Sequence, residues 1–175
     1  MTTVGHALTG IAIGILCLPP NRSKRWKWRY FAGLVVLADV PDLPLPYWGH
    51  SRYSVSHSLF VNLGIMLLVL LGVWLLPLAP SIKQARVLFA GSAAWLSHFL
   101  LDSFYNHGDG VAIYWPISSG HLTLPIPWFS VLPKPPLTLQ HLQIVGIEFL
   151  VYGLVVGLAF LIRQQVQMHT SLSAP

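Results

Sequence analysis

Charge is scarce in this chain. Only 9% of its 175 residues are Asp, Glu, Lys or Arg, against roughly 25% in an average soluble domain. So few charges cannot keep a compact globule in water, which excludes an ordinary soluble enzyme. Cysteine is almost missing as well. The single Cys17 rules out an intramolecular disulfide framework and a cysteine-built zinc site, and it reads as a buried apolar side chain. Residues 1–10 contain no Lys or Arg, so the basic start of a signal peptide is lacking. What is plentiful is apolar: 54% of the residues are hydrophobic, far too many for a disordered chain. The class left is an all-α integral membrane protein.

Apolar runs of about 17–25 residues can cross a bilayer as helices. Three are clear, over residues 58–79, 85–101 and 142–162. Two shorter ones precede them, over residues 4–18 and 30–40, stopped by Pro19-Pro20 and Pro41. At ~1.5 Å per residue the first reaches only ~22 Å, which predicts a tilted or partly inserted hairpin. The expectation is about five membrane segments, the first two short, forming one domain over residues 1–163 with a polar tail over 164–175. Eight of the ten basic residues orient it: Arg22, Lys24, Arg25, Lys27 and Arg29 after the first segment, Lys83 and Arg86 after the third, Arg163 after the fifth. Only Arg52 and Lys134 fall in the other loops. The positive-inside rule then places the N-terminus outside and the C-terminus in the cytoplasm. The basic and aromatic stretch from Arg22 to Tyr30 could in principle grip a single-stranded nucleic acid. Beside a membrane segment the same pattern reads as interfacial anchoring to anionic lipid, so membrane lipid is the expected partner and nucleic acid is not.

Ionisable groups at membrane depth are costly and mark function by default. With this topology His6 opens the first segment at its outer end, and Asp39 and Asp42 close the second there. His57 opens the third, and His98 with Asp102 closes the fourth. Glu148 lies six residues into the fifth, roughly 9 Å below the same face. None of these residues entered the orientation argument, yet all seven fall on one side. His98 and Asp102, four apart on a helix, share a face and can reach one ion. Imidazole and carboxylate suit zinc, and oxygen-richer sets suit manganese or magnesium. More groups are present than the four a closed zinc site uses. That surplus leaves an open catalytic site, a second metal or supporting carboxylates as alternatives.

Five motifs occur in order: Gly5-His6-Ala7-Leu8, Val40-Pro41-Asp42-Leu43, Ser56-His57-Ser58-Leu59, Leu96-Ser97-His98-Phe99-Leu100-Leu101-Asp102 and Tyr114-Trp115-Pro116. Together they resemble a family of metal-dependent hydrolases of the bacterial inner membrane, some of whose members are linked to the LexA damage response. The resemblance covers about residues 5 to 162 and implies a divalent metal held by His6, Asp42, His57, His98 and Asp102. The chain departs from the family pattern in two places. Pro44 stands where a second Asp is common, with Asp39 as its substitute, and the stretch from His50 to Ser58 is longer than the family's His-Arg-Gly motif.

Residues 102–141 form a long outer loop rich in Pro and Trp, suited to cover the polar cluster. Within it Asn106 to Gly110 reads as a turn, and His107 and Asp109 read as solvated. The expected chemistry is hydrolysis of an ester or phosphoester in a lipid or lipid-linked substrate. Asp39 or Glu148 would be the general base, and Arg52 would bind an anionic head group. A transporter or ion pathway uses buried His and carboxylates too, and a docking subunit is the third possibility. All three stay open at this point.

Overall fold

The computed structural model describes residues 2–105, 110–131 and 136–172, with side chains of the last stretch through residue 169. His107, Asp109 and Lys134 lie outside the described residues. Among those described, the chain is all helical, with no strand beyond one isolated bridge between Val111 and Leu122.

Helix α1 spans Thr3–Cys17, and the Thr2 hydroxyl caps it by accepting from the Val4 amide at 3.2 Å. Pro19 and Pro20 end it. Helix α2 spans Lys24–Ala38, capped by the Ser23 hydroxyl on the Trp26 amide at 3.3 Å. It begins six residues earlier than the apolar run over 30–40, because the Ser23 cap lets the basic stretch join the helix. The basic residues from Lys24 to Arg29 thus form its first turns and not a loop. A 3-10 turn, Val40–Asp42, follows at Pro41, and a second, Gly49–Arg52, leads into a single helical turn α3, Tyr53–Ser56. Gly49 has a φ of +57°, and a Cβ there would stand 2.6 Å from the Leu43 carbonyl oxygen, so this turn needs glycine. Helix α4 (Leu59–Leu75) is capped by the Ser58 hydroxyl on the Val61 amide at 3.2 Å. Helix α5 covers Ala85–Ser103, and α6 covers Leu139–Leu172. α6 runs ten residues beyond the apolar stretch, so the tail expected from residue 164 continues the helix.

α1 lies centrally, packed on α2, α5 and α6. Small residues make this possible. A Cβ on Gly10 would meet the Leu34 carbonyl oxygen at 2.8 Å, and one on Gly14 would meet Phe31 at 2.7 Å. A Gly-x-x-x-Gly pair lets helices approach to backbone contact where lipid offers no hydrophobic drive. α6 holds α1 at both ends. Glu148 accepts from the Thr2 amide at 3.0 Å and from the Thr2 hydroxyl. Arg163 donates to the Ile15 and Leu18 carbonyls at the other end. An acid at a helix N-terminus and a cation at its C-terminus both complement the helix dipole. These contacts also show that α1 and α6 run parallel.

Among the described residues, α6 alone is by length and composition a single helix able to cross a bilayer. The pair Gly49–Ser56 and Leu59–Leu75, bent by 92°, is a second candidate, and α1 is apolar but shorter. The helices therefore meet the five-segment expectation only in part. The outer faces of α4 and α6 are apolar and uncovered, with Leu68, Trp74, Leu154 and Leu158 all exposed.

Candidate metal centre

The buried polar side chains gather at one end of the bundle: at the starts of α1, α4 and α6, the ends of α2 and α5, and the turns between them. His6, His57, His98 and Asp102 are at most 2% exposed, while Asp42 at 18% faces outward. His6, Asp42, His98 and Asp102 each offer one ligand atom, all within 4.8 Å of one another. His6 and His98 stack ring on ring at 3.8 Å.

The hydrogen bonds behind the imidazoles fix which nitrogen faces inward. His98 Nδ1 lies 2.9 Å from the Ala38 carbonyl, which can only accept. That carbonyl ends α2 and has no partner within the helix. The neutral His98 ring therefore carries its proton on Nδ1 and its lone pair on Nε2. His57 repeats the arrangement through a hydroxyl. Ser56 Oγ donates to the Gly49 carbonyl at 3.0 Å, so it accepts from His57 Nδ1 at 2.8 Å. Metal-ligating histidines use this kind of orienting partner.

Both free Nε2 atoms then face carboxylate oxygens. His57 Nε2 is 3.2 Å from Asp42 Oδ1 and 3.7 Å from Asp102 Oδ2. His98 Nε2 is 3.4 Å from Asp102 Oδ2 and 3.9 Å from Asp42 Oδ2. The two imidazole Nε2 atoms are 3.4 Å apart, and His6 Nε2 is 3.3 Å from Asp102 Oδ1. Converging lone pairs repel unless a cation lies among them. Both His6 ring nitrogens and Asp42 Oδ1 are buried with no hydrogen-bond partner, a costly state that coordination would relieve. Tetrahedral bonds of ~2.0–2.2 Å separate ligand atoms by roughly 3.3–3.6 Å, close to the observed spacings. The residues present fit a divalent cation. Burial pushes the Asp42 carboxyl up, but when His57 and His98 are protonated their positive charge and the His57 N–H outweigh that and hold it lowered to about 2, so protons and a metal ion compete for the same nitrogens.

Over residues 1–169 the chain matches the family described as YdjM inner membrane protein. It belongs to that family. No curated protein and no solved structure matches the chain. Membership in the YdjM family sets the chain in the bacterial inner membrane, which accounts for the bare apolar faces of α4 and α6. The His/Asp cluster is thus a buried polar group at one end of the helical bundle.

The other residues singled out from sequence take distinct places. Asp39 caps α2, is 8% exposed, and keeps Oδ1 buried without a hydrogen-bond partner. Both oxygens of Glu148 are engaged by Thr2 at the start of α1, one turn before His6, and the Tyr105 hydroxyl interacts with the same carboxylate. Arg52 lies over the Tyr47 ring and lines a cleft of about 700 Å³ that Asp42, His50 and Trp48 also line. The long loop between α5 and α6 folds back on the site's frame. Leu124 and Ile126 donate to the Ser103 and Phe104 carbonyls at 2.7 and 2.8 Å, and Leu59 donates to Ile113 at 3.1 Å.

Sequence reading missed the supports. Asn62 donates to the Ser56 and Ser58 carbonyls at 2.7 and 2.8 Å and accepts from Trp95 Nε1 at 2.8 Å. It locks the bend that presents His57, and Tyr53 stacks on His57 at 3.9 Å. A lone amide in an otherwise apolar run was the available clue to Asn62. Nothing in the sequence marks the Ala38 carbonyl.

Proposed function

We propose that the chain is a metal-dependent hydrolase acting on an ester or phosphoester of a lipid or lipid-linked substrate at the outer face of the inner membrane. In this reading five segments enter or cross the bilayer, with the N-terminus outside and the C-terminus in the cytoplasm. The observation that carries it is the convergence of imidazole nitrogens and carboxylate oxygens on one buried point. His6, Asp42, His57, His98 and Asp102 would hold a divalent ion, with zinc, manganese or magnesium as candidates. Such an ion supplies Lewis acidity, lowering the pKa of water and polarising the scissile bond.

The chain's own residues do the rest. Ser56 and the Ala38 carbonyl orient His57 and His98. Arg52, on the cleft wall beside Asp42, binds an anionic head group, for which its planar fork is suited. Asp39 is the carboxylate with an oxygen to spare for general-base work, while Glu148 holds α1, and with it His6, in place. A transport pathway would string polar groups through the depth of the bundle. The gathering of buried polar side chains at one end supports a site instead.

The test is hydrolysis of fluorescent phospholipid and aryl phosphoester substrates by detergent-purified protein, with and without chelation, beside His98→Ala. Activity that chelation removes, that added metal restores, and that His98→Ala lacks while remaining helical is expected. Metal-free protein that takes up none and cleaves none of the panel would overturn the reading.

A further inference from the structure

The two carboxylates at the centre are divided between different imidazoles. Asp42 Oδ2 faces His98, whereas Asp42 Oδ1 faces His57 and, at 3.7 Å, the exposed ring of His50. Asp102 Oδ1 faces His6, whereas Oδ2 lies between His98 and His57. The unpartnered atoms are divided in the same way, with the His6 nitrogens on one side and Asp42 Oδ1 on the other. We propose that the cluster holds two divalent cations bridged by Asp42 and Asp102. His6 and His98 belong to an inner, buried site, and His57 and His50 to an outer one opening on the cleft. The inference rests on the metal reading above and deepens it.

Ligand number and charge both favour it. Four imidazoles and two carboxylates exceed what one tetrahedral ion uses. Asp39, Asp42 and Asp102 place three carboxylates in and around a buried pocket, and one divalent ion would leave a negative charge uncompensated there, which is costly. Two ions reverse the balance and leave the pocket net positive toward the cleft, where Arg52 stands. That field suits an anionic phosphoester better than a neutral carboxylic ester. It narrows the substrate class to phosphomonoesters or phosphodiesters of lipid-like molecules, since paired ions at ~3.5–4 Å clamp the attacking and leaving oxygens of a phosphoryl group.

Metal content per chain, measured by mass spectrometry on protein reconstituted with manganese, tests the inference together with electron paramagnetic resonance of the same samples. Two manganese ions per chain and a spin-coupled spectrum are expected. In His57→Ala the content should fall by half and the spectrum should simplify to that of an isolated ion, with His6 and His98 keeping the inner site. His50→Ala, on an exposed side chain that can be changed without loss of fold, should weaken the second equivalent at least tenfold and leave the first unchanged. One ion per chain in the native protein, with no coupling, overturns the paired centre while leaving the hydrolase reading intact. No ion at all overturns both. Loss of both ions from a helical His57→Ala overturns the division into inner and outer ligands.

Discussion

α1 and α4 are apolar helices of similar length, fifteen and seventeen residues, with similar capping by a hydroxyl at their N-termini. α1 buries Gly5, His6, Gly10, Ala12 and Gly14, and neighbours press on it from three sides. α4 buries only Asn62 and Met66; Leu63 and Leu70 pack half-buried against the cluster of Trp95 and Phe99, while Leu67, Leu68, Leu71 and Leu75 face outward. The difference follows from side-chain size. Small residues let α1 touch the backbone of α2, so its position is set by steric contact and by Glu148 and Arg163 at its two ends. α4 is dressed in large side chains, which on its outer face are satisfied equally by lipid, so it is held from one side, by the bend at its start and by Leu63, Met66 and Leu70 against Trp95 and Phe99. Both helices deliver a histidine to the centre, His6 from within α1 and His57 from just before α4. The first is positioned by a whole helix and the second by a bend.

That contrast can be broken most sharply at glycines. Gly10→Leu should abolish the folded state, because a Cβ alone would already stand 2.8 Å from the Leu34 carbonyl. Even Gly10→Ala should destabilise by about 1–3 kcal/mol through overpacking. Gly64→Ala in α4, where nothing lies within 4 Å, should be neutral or stabilising by up to ~1 kcal/mol from helix propensity. Thermal unfolding in detergent followed by circular dichroism measures both, and equal effects would erase the distinction.

Next in size is the clasp on α1. Glu148→Ala strands the Thr2 amide and hydroxyl and should cost roughly 1.5–3 kcal/mol, with weaker metal retention because His6 is one turn away. Arg163→Met at the far end should cost only about 0.3–1 kcal/mol and leave metal retention unchanged. The same unfolding assay, paired with metal content, separates the two ends. If Arg163→Met disturbs the metal as much as Glu148→Ala does, α1 acts as a rigid rod and not as a locally anchored ligand carrier.

On the α4 side the sensitive point is Asn62. Asn62→Leu removes one acceptor from Trp95 and two donors from the bend, and should destabilise by about 1–3 kcal/mol. Tyr and Trp fluorescence and metal affinity report whether His57 is released. Leu68→Ala, two turns along the same helix and exposed, should change stability by less than about 0.5 kcal/mol. A large effect at Leu68 would mean that α4 is packed along its length.

The legible part of the cluster was its set of side-chain types. His6, Asp42, His57, His98 and Asp102 stand out because ionisable side chains are rare in so apolar a chain, and the His98–Asp102 spacing follows from helix periodicity alone. Helix ends were legible at Pro19 and Ser58, where a proline and a capping hydroxyl mark them. The start of α2 was less so, because its basic first turns resemble a solvated loop. The roles of carboxylates were not legible. Asp39 and Glu148 look alike in sequence, yet Thr2 occupies both oxygens of one and the other keeps a buried oxygen without a partner.

The sequence by itself determined the solvent this protein folds in, the helical class and the chemistry available at one end of it. Composition and the placement of rare charged groups are properties of the chain that no packing can alter. Only the tertiary structure decided which nitrogen of each histidine faces the centre, since that depends on a carbonyl sixty residues away for His98 and on a hydroxyl held by Gly49 for His57. It decided as well how the oxygens of Asp42 and Asp102 are divided, because a carboxylate's two faces are distinguished only by what surrounds them.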